Sequence, residues 1–286
     1  MILENSCNPQ HILPWENIAK TIQMKLKEPL IPHNWAELEQ FLFQDTYNKD
    51  IDRIRSPYVY RGLSTKSYKL KTSLCRLGGD YKQLEPHLLR NFKKYAFRSD
   101  NLNTTDWDWL AIAQHHGLPT RLLDWTYSPY AALHFATANI DNFHLDGVIW
   151  ALRYESLNKY LPQRLRLQLE SVGSNSFTTD MLSSVYKNLQ ELSDEPENFV
   201  VPFEPPSLDS RIVNQYAIFT FMSDAQSMLN EWLEDKPDLY FRICVPSELK
   251  WEIRDKLDQL NINERVLFPG YEGLSKWLKR HYSPKR

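Results

Sequence analysis

Two periods of hydrophobic spacing run along this chain, and their order predicts most of its elements. In WAELEQFLFQ the apolar positions Trp35, Leu38, Phe41 and Leu42 follow the helical repeat, and Asn34 stands where a capping side chain is wanted. SPYVYRG instead sets Tyr58, Val59 and Tyr60 ahead of Gly62, a strand running into a turn, which puts Arg61 at the strand's end. Helical spacing returns over residues 84–96 through Leu88, Leu89, Phe92 and Tyr95. A further helix is expected from an Asp106 cap through WDWLAIAQHH to a C-terminal cap at Gly117. Ser128 and Pro129 form an N-cap and first-turn pair that opens AALHFATA, a segment apolar around most of its circumference and so a buried helix.

Gly147 introduces VIWAL, a short continuous apolar run suited to a central strand. From residue 155 to 206 the pattern weakens into LPQRLRLQLE and MLSSVYKNLQELSDEPEN, read as surface helices, before Pro202, Pro205 and Pro206 break the chain. Strands return at YAIFTFM and YFRICV, and a helix follows at SELKWEIRDKLDQL. Helices and strands alternate irregularly, which predicts an α+β fold with mixed or antiparallel sheets flanked by helices. The expected organisation is one domain over residues 1–286, with 1–49 a helical N-terminal extension and 155–206 a helical insertion.

With 286 residues, 42% of them hydrophobic, the chain can bury a full core. The formal charge of −2 gives no global electrostatic case for nucleic acid or an anionic membrane, so partners must be argued from sites. Cys7, Cys75 and Cys244 are too far apart to form a disulfide framework or a paired zinc site. The first twenty residues lack a basic start followed by an apolar core, and no stretch reaches about 18 continuous apolar residues, so a cytoplasmic protein without a membrane span is expected.

The stretch QHHGLPTRLLDWT, residues 114–126, holds polar residues close to the core between two periodic segments. His115 and His116 are adjacent on a helix and point apart, which argues against joint metal binding, and no metal is predicted. Arg121 and Asp124 are spaced to brace the loop as an ion pair, Trp125 reads first as a core anchor and Ser128 as a cap. Arg61, beside a glycine at a strand end, is placed to grip a phosphate or carboxylate while Gly62 lets the ligand approach the backbone; Tyr60 and Trp125 offer aromatic faces. Glu204, Asp209 and Glu264 are the carboxylates nearest predicted strand boundaries. Glycine-rich phosphate loops, HExxH and CxxC are all missing, which removes the usual support for P-loop, dinucleotide-fold and zinc-hydrolase chemistry.

Four blocks resemble, in order, the FRG domain family with its Phe/Tyr-Arg-Gly motif. They are YRG at residues 60–62, QHHGLPTRLLDWTYSPYAALHFA at 114–136, RIVNQYAIFT at 211–220 and VLFPGYEGL at 266–274. More remotely, Arg61 on an early strand, followed by a Ser/Thr strand end and an AxxF helix at Thr126, Ser128, Ala132 and Phe135, is similar to the layout of ADP-ribosyltransferases. That resemblance implies an arginine holding the NAD phosphates or ribose, a Ser/Thr strand positioning the nicotinamide ribose, and a late glutamate stabilising an oxocarbenium-like transition state. Gln215 matches the late-strand position here, and a glutamine supplies no carboxylate. Glu264, in NERVLFPG, is one residue out of register and turns to the other face of a strand, a secondary candidate.

The resemblance therefore implies a catalytic set of Arg61, Gln215 and Glu264, with nucleotide contacts from Tyr60, Arg61, Gly62, His115, Arg121, Asp124, Thr126 and Ser128. NAD would be the substrate, and ADP-ribose would pass to an acceptor protein or nucleic acid, in a toxin or phage-defence setting. The alternative is a non-catalytic nucleotide- or RNA-binding module.

Overall fold

The computed structural model describes residues 27–96, 104–207 and 210–285. Residues 1–26 of the expected N-terminal extension, with Cys7, and Asp209 lie outside the described residues.

Local chemistry sets where most elements begin. Helix α1 (Trp35–Leu42) starts on Asn34, whose side chain accepts from the Glu37 amide at 3.0 Å. A short ribbon, β1 (Tyr47–Asn48) with β2 (Arg53–Ile54), precedes β3 (Tyr58–Leu63), which runs past Gly62 instead of turning there. Thr72 caps α2 (Ser73–Leu77), a helix the spacing did not reveal, and α3 (Tyr81–Tyr95) holds most of the expected 84–96 segment. Helix α4 (Asp106–His115) is capped by Thr105 rather than Asp106, in a reciprocal box with Asp108, and ends near Gly117, whose φ of +82° suits a C-terminal glycine. From β4 (Leu123–Thr126) the chain passes Ser128, whose Oγ accepts from the Ala131 amide, into α5 (Pro129–Ala136).

Strand β5 (Gly147–Arg153) is followed by α6 (Gln163–Val172), α7 (Thr179–Val185) and α8 (Leu189–Ser193). Then come β6 (Val200–Phe203), α9 (Ser210–Asn214), β7 (Ala217–Met222), α10 (Leu229–Trp232) and β8 (Tyr240–Val245). The chain closes with α11 (Lys250–Gln259), α12 (Glu264–Leu267) and α13 (Tyr271–His281).

Six strands form one sheet in the order β6-β7-β4-β3-β5-β8, with every neighbouring pair antiparallel. With helices on this sheet, the protein is α+β. The segment expected to be a helical insertion departs from that reading at its end, since β6 is an edge strand of the main sheet. Its Pro202 is tolerated because an edge strand needs ladder donors on one side only. Beyond β6 the Phe177 amide donates to the Pro202 carbonyl, and at the opposite edge Leu30 bridges to Ile243 of β8.

Three apolar clusters hold the layers together. One joins Trp107 and Leu110 of α4 to Leu165, Leu182 and Leu192 of α6, α7 and α8 and to Phe203 and Phe221 of the sheet, so those expected surface helices bury their apolar stripes. A second packs α1, α5 and α11 against Tyr58, Tyr60, Ile149 and Ile243, and a third gathers Val59, Trp125, Trp150 and Ile218. No helix among the described residues is long and apolar enough to cross a membrane.

Candidate functional site

Strands β3 and β4 pair at one position, Tyr60 with Thr126, and part beyond it. Arg61 lies in that opening, and its Nη1 donates to the main-chain carbonyl of Asp124, taking the role a ladder amide has in a closed sheet. The same nitrogen is 3.6 Å from an Asp124 carboxylate oxygen. The other carboxylate oxygen accepts from Gln114 Nε2 at 2.9 Å, and Gln114 Oε1 accepts from Thr120 Oγ1 at 2.5 Å. Thr120 is buried, and its amide donates to Ser73 Oγ at 3.1 Å, so the chain of contacts is anchored to α2.

The opening is a cleft of about 500 Å³ between β3, β4, α2, the end of α4 and the turn from α9 into β7. Three arginines line it, Arg61, Arg76 and Arg211, together with His115, against a single carboxylate among the lining residues, that of Asp124. Burial works against the charged form of Arg61; Asp124 favours that form and Arg76 opposes it. An arginine does not give up its proton in a protein, so Arg61 persists as a cation held in an unfavourable place. Its Nε is buried without a hydrogen-bond partner among the described residues. An anion in the cleft would relieve both conditions. Arg211 stacks over Phe268 with its guanidinium carbon 5.1 Å from the ring centre.

The structure brings Arg61, His115, Asp124 and Thr126 to this cleft, and separates the remaining expected residues from it or gives them other work. Arg121 is a correction. It is 3% exposed and turns away from Asp124, its Nε donating to Glu85 at 2.6 Å and its Nη1 to the Ser223 carbonyl at 2.8 Å. Tyr60 and Trp125 offer no aromatic face, since both rings are buried; Tyr60 OH donates to the Leu42 carbonyl at 3.1 Å and the Trp125 indole to Thr220 Oγ1 at 2.8 Å. A Cβ on Gly62 would lie 1.9 Å from the Ala132 carbonyl oxygen, so the glycine is needed to admit helix α5, while it also lines the cleft. Ser128 caps α5 and does not line the cleft.

Gln215 lines the cleft from the turn before β7 and not from the strand itself; Tyr216, at φ 47°, makes that turn. The Gln215 side-chain Nε2 donates to the Leu267 carbonyl at 2.8 Å, and the Gln215 main-chain carbonyl accepts from Thr126 Oγ1 at 2.6 Å. Glu264 is on no strand. Asn263 caps α12 there, and the Glu264 carboxylate accepts from Arg254 at 2.7 Å and from Arg280 at 2.8 Å. Glu204 accepts from Tyr127 OH and Ser176 Oγ, also outside the cleft. Sequence reasoning passed over Arg76, hidden in an unrecognised helix, and Arg211 and Gln114, which stood inside quoted motifs without a role. The signals were the Thr72 cap and the arginine opening RIVNQYAIFT.

The Glu264 cluster carries a pH prediction. His134 Nδ1 meets Arg254 Nη1 at 2.8 Å, and burial, then Arg254, push the imidazole down to about 3, with Arg280 adding to the shift and Glu264 opposing it. Burial would raise Glu264, but the Arg280 hydrogen bonds and the Arg254 charge hold it at about 2. Between the ordinary histidine value of 6.5 and about 3, the unfolded chain binds a proton that the fold does not, so stability falls as pH falls through that window. Glu264 adds a loss of the same sign from 4.5 down to about 2. Urea midpoints measured from pH 7.5 to pH 4 are expected to decline steadily; a flat series contradicts the assignment.

Fold and cleft together define an α+β domain with an arginine-lined cleft opened between two strands. The family model of the FRG domain matches residues 56–144. Arg61, Arg76, Gln114 and Asp124 fall inside the match, and Arg211 and Gln215 fall beyond it. No curated protein matches the chain, and no solved structure does.

Proposed function

We propose that the cleft binds a phosphate-bearing nucleotide, with NAD the first choice and transfer of ADP-ribose to a protein or nucleic-acid acceptor as the reaction. The observation that carries this reading is the state of Arg61, a half-buried cation whose buried Nε has no partner among the described residues, repelled by Arg76 and opening onto a cleft that Arg211 also lines. A diphosphate supplies negative charge over the span that several arginines can share, and each guanidinium can bind a phosphate bidentately. The strand order adds support, because β3 with Arg61, β4 ending in Thr126 and the late strand β7 lie side by side, which brings the three elements of the resemblance to one region of the sheet. A second reading, a nucleotide- or RNA-binding module without chemistry, is favoured by Glu264 being committed to Arg254 and Arg280 and by Gln215 bringing no carboxylate.

A thermal-shift series with NAD, ADP-ribose, ATP and a short RNA ranks the ligands. At 100 times its dissociation constant the preferred ligand is expected to add about 2.7 kcal/mol of stability. Arg61→Lys keeps one charge but loses the planar fork, with an expected loss of roughly tenfold in affinity for that ligand. A shift from RNA alone, with none from millimolar NAD or ADP-ribose, removes the transferase reading.

A further inference from the structure

The transferase reading leaves a chemical gap. Loss of nicotinamide puts positive charge on the ribose, and neither Gln215 nor the buried Glu264 brings a carboxylate to it. We infer that Asp124 fills this role, with Gln114 and Thr120 as its positioning residues; the inference rests on the proposed transfer of ADP-ribose.

Asp124 is the one carboxylate among the residues lining the cleft, and its side chain is 58% exposed, so it faces the ligand space. It is also held. Thr120 Oγ1 donates to Gln114 Oε1, which fixes the amide so that Gln114 Nε2 points at one Asp124 oxygen. Arg61 grips the Asp124 main-chain carbonyl and pairs with the other oxygen at 3.6 Å, a loose ion pair that leaves the exposed carboxylate open to the ligand space. A carboxylate oriented in advance stabilises a developing cation without reorganising during the reaction. In the step, the bond between ribose C1′ and the nicotinamide nitrogen breaks, and its electron pair leaves with nicotinamide, neutralising the pyridinium ring. Positive charge spreads over C1′ and the ring oxygen beside Asp124. A hydroxyl or amine of the acceptor, or water, then bonds to C1′ and releases its proton to solvent.

The test compares wild type, Asp124→Asn, Asp124→Glu and Gln114→Leu as full chains, measuring NAD binding by calorimetry and nicotinamide release by chromatography. Asp124→Asn is expected to bind NAD and melt near wild type while releasing nicotinamide about 100-fold more slowly. Asp124→Glu is expected to recover part of that rate, and Gln114→Leu to slow nicotinamide release per NAD-binding site counted by calorimetry, a loss that a smaller folded fraction would not produce. Release by Asp124→Asn at the wild-type rate overturns the role of Asp124 and leaves the transferase reading standing. A wild-type protein that binds NAD without releasing nicotinamide overturns the role and favours the binding module. A wild-type protein that does neither removes the transferase reading, and the role with it.

Discussion

Arg121→Ala is expected to cost about 3–5 kcal/mol of folding stability, because it strands a buried carboxylate. Glu85 is 1% exposed, and Arg121 meets it with both its Nε and its main-chain amide. The guanidinium further donates to the Ser223 carbonyl and to Ser193 Oγ, so one side chain ties α3, α8 and the end of β7 to the entry of β4. For a domain of this size each kcal/mol shifts the melting temperature by roughly 2–4 °C, so a fall of about 10 °C is expected by scanning fluorimetry. Adding Glu85→Ala to Arg121→Ala should then cost little more, the signature of a coupled pair. An Arg121→Ala protein that melts normally but loses its nucleotide shift would return this residue to the ligand.

Gly62→Ala is the second large effect. The new Cβ would lie 1.9 Å from the Ala132 oxygen and 2.7 Å from the Ala136 nitrogen, both main-chain atoms of α5. Backbone cannot rotate aside as a side chain can, so α5 must lift from β3, at an expected cost of about 3 kcal/mol or more. Since α5 follows directly from β4, the displacement also reaches the strand that carries Asp124. Soluble yield and melting temperature measure this; a variant melting within about 2 °C of wild type would mean the helix has room to give.

Much of the fold was legible because its signals are local. Asn34 and Ser128 with Pro129 act within four residues of the helices they start, the cap of α4 was placed one residue late at Asp106 instead of Thr105, and the apolar runs at 58–60, 147–152 and 217–222 became strands. Edge strand β6 was hidden because Val200–Phe203 is short and contains proline, which reads as a break unless its position in the sheet is known. At the site, the convergence of Arg61 with the 114–126 block could be anticipated from motif order. The partner of Arg121 could not, since Glu85 is 36 residues away and nearer carboxylates compete on paper. The packing of α5 against Gly62 was hidden for a similar reason: sequence records the absence of a side chain and not what occupies the space. Glu264 looked like a strand residue because VLFP is apolar, whereas the Asn263 cap turns the segment into a helix.

Each margin of the main sheet is guarded by one crossing residue, Leu30 at β8 and Phe177 at β6. At β8 the amide of Cys244 donates to the Leu30 carbonyl, and the Leu30 amide donates to the Arg242 carbonyl, so those two outer groups are already engaged. At β6, Pro202 has no amide proton to offer, and its carbonyl is taken by Phe177, whose own carbonyl accepts from Glu204. An unguarded margin is the usual template for strand exchange and for fibrous aggregation. Cutting either guard, for instance by placing a glycine-rich insertion beside Leu30 or Phe177, would expose ladder groups to neighbouring molecules, and propensity to polymerise would then rise with protein concentration even where the arginine cleft stays intact.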